Sequence, residues 1–206
     1  NVARQVLRHA DASHGAGHPA IVFADERLLA AGELQELGWP ELRHQVAVLA
    51  ARLQAMGVRR GDRVVAYLPN VPQTLVCFLA VASVGAVWSV CSPDMGPVAV
   101  LDRFRQIEPV VLFACDGTLH GGQAHDRTAV VAELLAQLTS VRDAVLVPCL
   151  DGAADVQAWA APGRGLHRWA DLLAGEAVCE PKWLPFDHPL WIVYSSGTTG
   201  MPKPTV

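Results

Sequence analysis

Between residues 64 and 93 the chain carries no charged side chain, and residues 75–90 are almost wholly apolar. A stretch like this must be buried, either in lipid or in a protein core. Pro69, Asn70, Pro72 and Gln73 stand at its entrance and Gly85 inside it. They cut it into strand, turn, helix and strand pieces, each shorter than the roughly 20 residues that cross about 30 Å of hydrocarbon. The segment therefore reads as a helix clasped between two buried strands, not as a membrane span.

The same alternation extends both ways. Trp39-Pro40 opens a helix with Leu42, Val46, Leu49, Leu53 and Met56 on one face, and Gly57 ends it. A short apolar run at 63–68 predicts a buried strand, 71–83 a helix, and 86–91 a second strand. Pro97 starts a helix with Val100, Leu101, Phe104 and Ile107 inward, stopped at Glu108-Pro109. Residues 110–113 predict a third strand closed by the turn Asp116-Gly117, residues 126–138 a helix through Val130, Leu134 and Leu138, and 144–147 a fourth strand. Strands alternating with helices of this length imply right-handed crossovers and an α/β fold, a mainly parallel sheet flanked by helices. Ligands of such sheets gather at the carboxyl ends of the strands, which singles out the loops after Leu68, Cys91 and Phe113. From 151 to 189 the pattern loosens into an expected surface excursion with one short helix at 167–174. A final apolar strand at 190–194 follows.

Composition closes off other classes. Charged residues are 17% of the 206, below the roughly 25% of an average domain, and 51% are hydrophobic, so the chain is not disordered. A net charge of −4 supplies no general pull toward nucleic acid or anionic lipid. Cys77, Cys91, Cys115, Cys149 and Cys179 are far apart and form no CxxC or zinc-type cluster. They read as reduced thiols, which suits the cytoplasm. Residues 1–9 lack the apolar stretch of a signal peptide. His9, His14 and His18 are spaced too irregularly for one helical face and read as solvated, so no metal ligand is nominated. His188 reads as structural, Trp88 as core, and Arg59, Arg60 and Arg63 as a solvated turn.

The most informative residues are Ser195-Ser-Gly-Thr-Thr-Gly-Met-Pro-Lys203. Directly after a strand they combine hydroxyls, glycines and one lysine, the mixture that phosphate binding needs. Gly197 and Gly200 can take positive φ and bring backbone N–H groups close to an anion. Ser195, Ser196, Thr198 and Thr199 add donors, and Lys203 adds a charge. This is not a Walker A loop, because Met201 and Pro202 separate the glycine from the lysine and Pro204 follows. A plain Ser/Thr/Gly linker is the alternative reading of the loop alone.

As a whole, the string resembles the phosphate-loop signature of the adenylate-forming superfamily, which comprises acyl-CoA synthetases, peptide-synthetase adenylation domains and luciferases. The resemblance continues upstream through Trp39-Pro-Glu-Leu-Arg43, Gly57-Val-Arg-Arg-Gly-Asp-Arg-Val64, Tyr67-Leu-Pro-Asn-Val-Pro72 and Ala82-Ser-Val-Gly-Ala-Val-Trp-Ser89. Trp88-Ser-Val-Cys-Ser-Pro-Asp94, Gln106-Ile-Glu-Pro109 and Phe186-Asp-His-Pro-Leu-Trp191 are most similar to the acetoacetyl-CoA synthetase branch.

The resemblance implies two-step chemistry. A short-chain carboxylate, acetoacetate foremost, attacks the α-phosphate of ATP with Mg²⁺ assisting, and coenzyme A then displaces AMP to form a thioester. Ser195, Ser196, Gly197, Thr198, Thr199, Gly200 and Lys203 are the implied phosphate contacts, with Lys203 the catalytic charge. The implied partners are small molecules, not nucleic acid. Two departures stand out. Pro204-Thr205 follows the lysine where the family has a small residue and an apolar strand, and Gln123 in Gly121-Gly-Gln123 stands where a basic residue near CoA is expected. Residues 1–206 are expected to form the N-terminal part of an adenylation domain ending just after the phosphate loop. The adenine, ribose and magnesium motifs lie downstream, so these residues alone are expected to be inactive. A non-catalytic phosphate-binding module and a structural α/β fragment are the competing readings.

Overall fold

The computed structural model describes residues 1–159, 161–195 and 200–206. In chain order come α1 (Val2–Leu7), α2 (Ala10–Gly15), β1 (Ile21–Phe23), α3 (Glu26–Ala31), β2 (Gln35–Leu37), α4 (Trp39–Ala55), β3 (Arg63–Tyr67), α5 (Pro72–Val84), β4 (Val87–Cys91) and α6 (Pro97–Phe104). A 3₁₀ turn (Arg105–Ile107) prolongs α6, and β5 (Val111–Cys115), β6 (Gly117–His120), β7 (Gln123–Asp126), α7 (Thr128–Gln137) and β8 (Asp143–Val147) follow. Last come a second 3₁₀ turn (Val156–Trp159), β9 (Gly165–Arg168), α8 (Trp169–Leu172), β10 (Val193–Ser195) and β11 (Lys203–Thr205).

Proline in the first turn sets the start of α4, α5 and α6 alike, where its missing N–H costs nothing. Five strands form one sheet in the order β4-β3-β5-β8-β9, every neighbouring pair parallel. Alternate residues feed opposite cores. Val64, Ala66, Trp88, Phe113 and Val145 pack with Leu49 and Leu53 of α4 and Leu79 of α5. Val65, Tyr67, Leu112, Ala114 and Leu146 pack on the other face with Val100 and Phe104 of α6 and Leu134 of α7. Each such fully buried Leu, Val or Phe contributes about 1.5–3 kcal/mol, so the two layers account for the charge-free sequence. The expected α/β class is thus the observed one. No helix of the described residues is long and apolar enough to cross a membrane.

Four expectations need correcting. Residues 167–174 do not start as a helix: 165–168 are a fifth parallel strand beside β8, and only Trp169–Leu172 is helical. That edge strand is half-buried and carries His167 and Arg168, so no apolar run marks it. The turn at Asp116-Gly117 is the root of a second hairpin, in which β6 pairs antiparallel with β7. Residues 190–194 are not one buried strand. Residue 191 makes an isolated parallel bridge to Trp88, and β10 then pairs with β11 in a separate two-stranded ribbon. Arg63 is no solvated turn residue, since its guanidinium donates to the carbonyls of Gly61, Ile107 and Glu108. Arg59 and Arg60 are exposed as expected.

Candidate functional site

The strand order reverses at β3, which lies between β4 and β5 although all three follow one another in the chain. The α5 crossover covers one face and α6 the other, which opens a crevice at the carboxyl ends of β3 and β5. A cavity of about 310 Å³ lies there, lined among others by Asp25, Glu26, Arg27, Asn70, Thr118 and Cys149. Its walls are tied together by directed bonds. The Glu26 carboxylate accepts the N–H of Gly121 at 2.8 Å and of Gly122 at 2.9 Å. Both glycines have positive φ, 60° and 72°, as a two-residue hairpin turn requires, and their adjacent N–H groups form an anion-holding nest. These backbone bonds keep Glu26 below its ordinary carboxylate value. Arg27 Nη2 donates to the Cys149 carbonyl at 2.9 Å. The buried Asp116 carboxylate accepts the N–H groups of Cys149, Leu150 and Asp151 at 2.7, 3.0 and 2.6 Å.

The loop after β4 is fixed over the end of β3. Tyr67 Oη shares its hydrogen between the carbonyls of Pro93 at 2.8 Å and Met95 at 2.9 Å, and Arg127 Nε donates to Pro93 as well, at 2.8 Å. Burial pushes the Tyr67 phenol up to about 12, so it remains a donor. Asp94 is held below its ordinary value chiefly by the Ser92 hydroxyl.

Along the free edge of β4 the Trp88 N–H donates to the Leu190 carbonyl at 3.0 Å, and the Ile192 N–H donates to the Trp88 carbonyl at 2.8 Å. Ser89 Oγ donates to the Ile192 carbonyl at 2.8 Å. A parallel course of about 3.3 Å per residue carries the chain on toward the carboxyl end of β4. There β10 pairs with β11 in the register Val193↔Thr205, Tyr194↔Pro204 and Ser195↔Lys203. Two of the nominated phosphate contacts are therefore cross-strand partners at the root of the loop. Lys203 is exposed and makes no ion pair among the described residues. Gly200 has φ +118°, a conformation reserved for glycine. Ser196, Gly197, Thr198 and Thr199 lie outside the described residues.

Sequence reasoning missed the Glu26 clamp and the Asp116 bonds, because both join residues more than 30 positions apart. Gln123 sits at the exposed start of β7. His188 Nε2 lies 2.9 Å from the Gly85 carbonyl, a structural role as expected, and Trp88 is a core residue at 1% exposure. A larger hollow of about 640 Å³ between α1, α2 and α4 shares no lining residue with this cavity, and its Arg43 and Arg4 are engaged by Asp11 at 3.0 Å and Glu180 at 3.8 Å. No three His, Cys, Asp or Glu side chains converge as metal ligands among the described residues.

The sequence profile of the family described as AMP-binding enzyme matches residues 7–206. An acetoacetyl-coenzyme A synthetase of Rhizobium meliloti (strain 1021) is 42% identical over 205 residues, covering 98% of this chain and 29% of that relative. An acetoacetyl-CoA synthetase of Macaca fascicularis is 36% identical over 208 residues, 98% of this chain and 30% of the relative. The solved structure of the acetoacetyl-CoA synthetase from Streptomyces lividans superposes with a TM-score of 0.88 at 47% identity, over 99% of this chain and 29% of that one. The chain thus spans under a third of the length of the relatives it matches.

Proposed function

The chain belongs to the AMP-binding enzyme family, and on that premise we propose that the full-length protein is an ATP-dependent acetoacetate–CoA ligase to which residues 1–206 contribute the N-terminal part of the adenylation domain. Acetoacetate oxygen attacks the α-phosphorus of ATP, the α–β phosphoanhydride bond breaks, and acetoacetyl-AMP and pyrophosphate result. The CoA thiol then attacks the acyl carbon, AMP leaves with the bonding electrons, and the thiol proton is released. Mg²⁺ in this reading accompanies the nucleotide polyphosphate and is not assigned to side chains of this chain.

The observation that carries the reading is the Ser195↔Lys203 pair at the root of a hydroxyl- and glycine-rich loop, delivered beside the carboxyl end of a parallel sheet. In this reading Ser195, Ser196, Gly197, Thr198, Thr199, Gly200 and Lys203 hold the β- and γ-phosphates in line as leaving group. Their contribution is orientation and charge neutralisation, not covalent catalysis. Free cysteines, three of them buried, suit the reducing cytoplasm that we propose as its compartment. The test is a side-by-side assay of the full-length protein with acetoacetate, acetate and butyrate, following AMP and pyrophosphate release. Acetoacetate is expected to give the highest kcat/KM. Equal or better turnover of acetate or butyrate would overturn the substrate assignment, and no ATP cleavage with any acid would overturn the ligase reading.

A further inference from the structure

Among the described residues, the chain leading into the β10–β11 ribbon meets the five-stranded sheet through an isolated bridge between Trp191 and Trp88, and a two-stranded ribbon on its own is marginally stable in water. Val193, Ser195 and all of β11 are exposed. Among the described residues, two hydrogen bonds also tie it to α6 and its 3₁₀ extension, one on each strand side. On the β10 side Tyr194 Oη donates to the Arg103 carbonyl at 2.6 Å, with the Arg103 guanidinium 5.8 Å from the Tyr194 ring centre. On the β11 side Gln106 Nε2 donates at 2.9 Å to the carbonyl of Pro202, the residue before Lys203. The other hydrogen of the same amide goes to the Asp102 carbonyl of its own helix, which fixes the side chain's direction.

The turn that presents Gln106 is held under strain. Glu108 has φ 46° and ψ 64°, and it is the one non-glycine residue with positive φ among the described residues. Arg63 holds it there, donating through Nε to the Ile107 carbonyl at 2.5 Å and through Nη2 to the Glu108 carbonyl at 3.0 Å. A strained backbone kept in place by neighbouring bonds is an established pointer to a positional requirement. Here the requirement lies one turn away, at the amide that reaches the loop.

We propose that Gln106 is a positioning residue that sets the backbone immediately before Lys203, and that Arg63 maintains its placement by clamping the Ile107–Glu108 turn. The inference rests on the proposed phosphate-binding role of the loop and deepens it. Gln106 touches no substrate; it acts through Pro202. It also gives a physical task to the Gln106-Ile-Glu-Pro109 motif, which the α/β pattern alone leaves unexplained.

The test uses the full-length protein and the variants Gln106→Leu and Lys203→Ala. Gln106 is exposed, so the substitution leaves the core untouched. For Gln106→Leu the KM for ATP is expected to rise about fivefold, the equivalent of one lost neutral hydrogen bond of typical strength. The second half-reaction, started from supplied acetoacetyl-AMP and CoA, is expected to run at the wild-type rate, because it bypasses the polyphosphate. An unchanged KM for ATP, or an equal fall in both half-reactions, would overturn the inference. If Lys203→Ala weakens ATP binding while Gln106→Leu does not, the positioning role alone fails. If neither variant changes it, the phosphate-loop reading fails as well.

Discussion

Asp116 carries more structural weight than any other single carboxylate described. It is 4% exposed and accepts three consecutive backbone N–H groups, so removing it strands three donors at once. Asp116→Ala is expected to lower unfolding stability by about 3 kcal/mol in a urea titration, and a loss below about 0.5 kcal/mol would contradict this account. Its neighbour Gly117 is constrained by space, since a Cβ there would lie 2.5 Å from the His125 carbonyl oxygen and 2.8 Å from Leu150. The end of β5 was legible in the dipeptide Asp116-Gly117; the function of its carboxylate was not, because the bonded amides come from the distant loop after β8. The tyrosines give a second test. Tyr67 and Tyr194, the only two in the chain, are both raised from 10.0 to about 12, mainly by burial. A raised phenol keeps its proton, so the stability each contributes is complete below pH 10 and is lost as pH climbs through 12. Near-ultraviolet phenolate absorbance should therefore stay flat through pH 10 in the folded protein and rise only toward pH 12. A step centred at pH 10 would show the phenols to be solvated.

At the scale of elements, what was legible followed periodicity. From α4 to β8 apolar spacing, first-turn prolines and glycine stops agree with one another, and the four strands and four helices expected there form within a few residues of their predicted places. Beyond residue 150 that agreement ends. The strand β9 is short, half-buried and at the sheet edge, so its partner β8, not its own pattern, makes it a strand. The β10–β11 ribbon depends likewise on tethers from α6. The β6–β7 hairpin is latched to α3 by Glu26. Hydrogen bonds depress the folded Glu26 value below its ordinary 4.5, so the latch is complete above that pH and is lost as pH falls through the lower folded value. Glu26→Gln at neutral pH, and wild type under acid conditions, should both lower the protection of the Gly121 and Gly122 amides against hydrogen exchange, measured relative to the intrinsic rate at the same pH. Unchanged protection in the variant would mean that the turn needs no carboxylate.

For the whole molecule, the reversal of strand order at β3 and the opposite faces taken by α5 and α6 decide where chemistry can occur. They place the loops after β3, β4 and β5, and the ribbon carried along β4, at one edge of the sheet. The sequence pointed to this edge through strand–helix alternation alone, and to the loop through its mixture of hydroxyls, glycines and a lysine read together with the family resemblance of the whole string. The closure of the edge by Glu26, Asp116 and Gln106 was out of reach, since each acts over tens of residues of intervening chain. The central claim is that the Ser195–Lys203 loop grips the polyphosphate of ATP. Its most direct test is calorimetric titration of Mg-ATP into the full-length protein and its Lys203→Ala variant. Removing the loop's one charge should weaken ATP binding by about tenfold or more, the loss typical of a charge-assisted hydrogen bond. Equal ATP affinity in the two proteins, with equal turnover, would contradict the account.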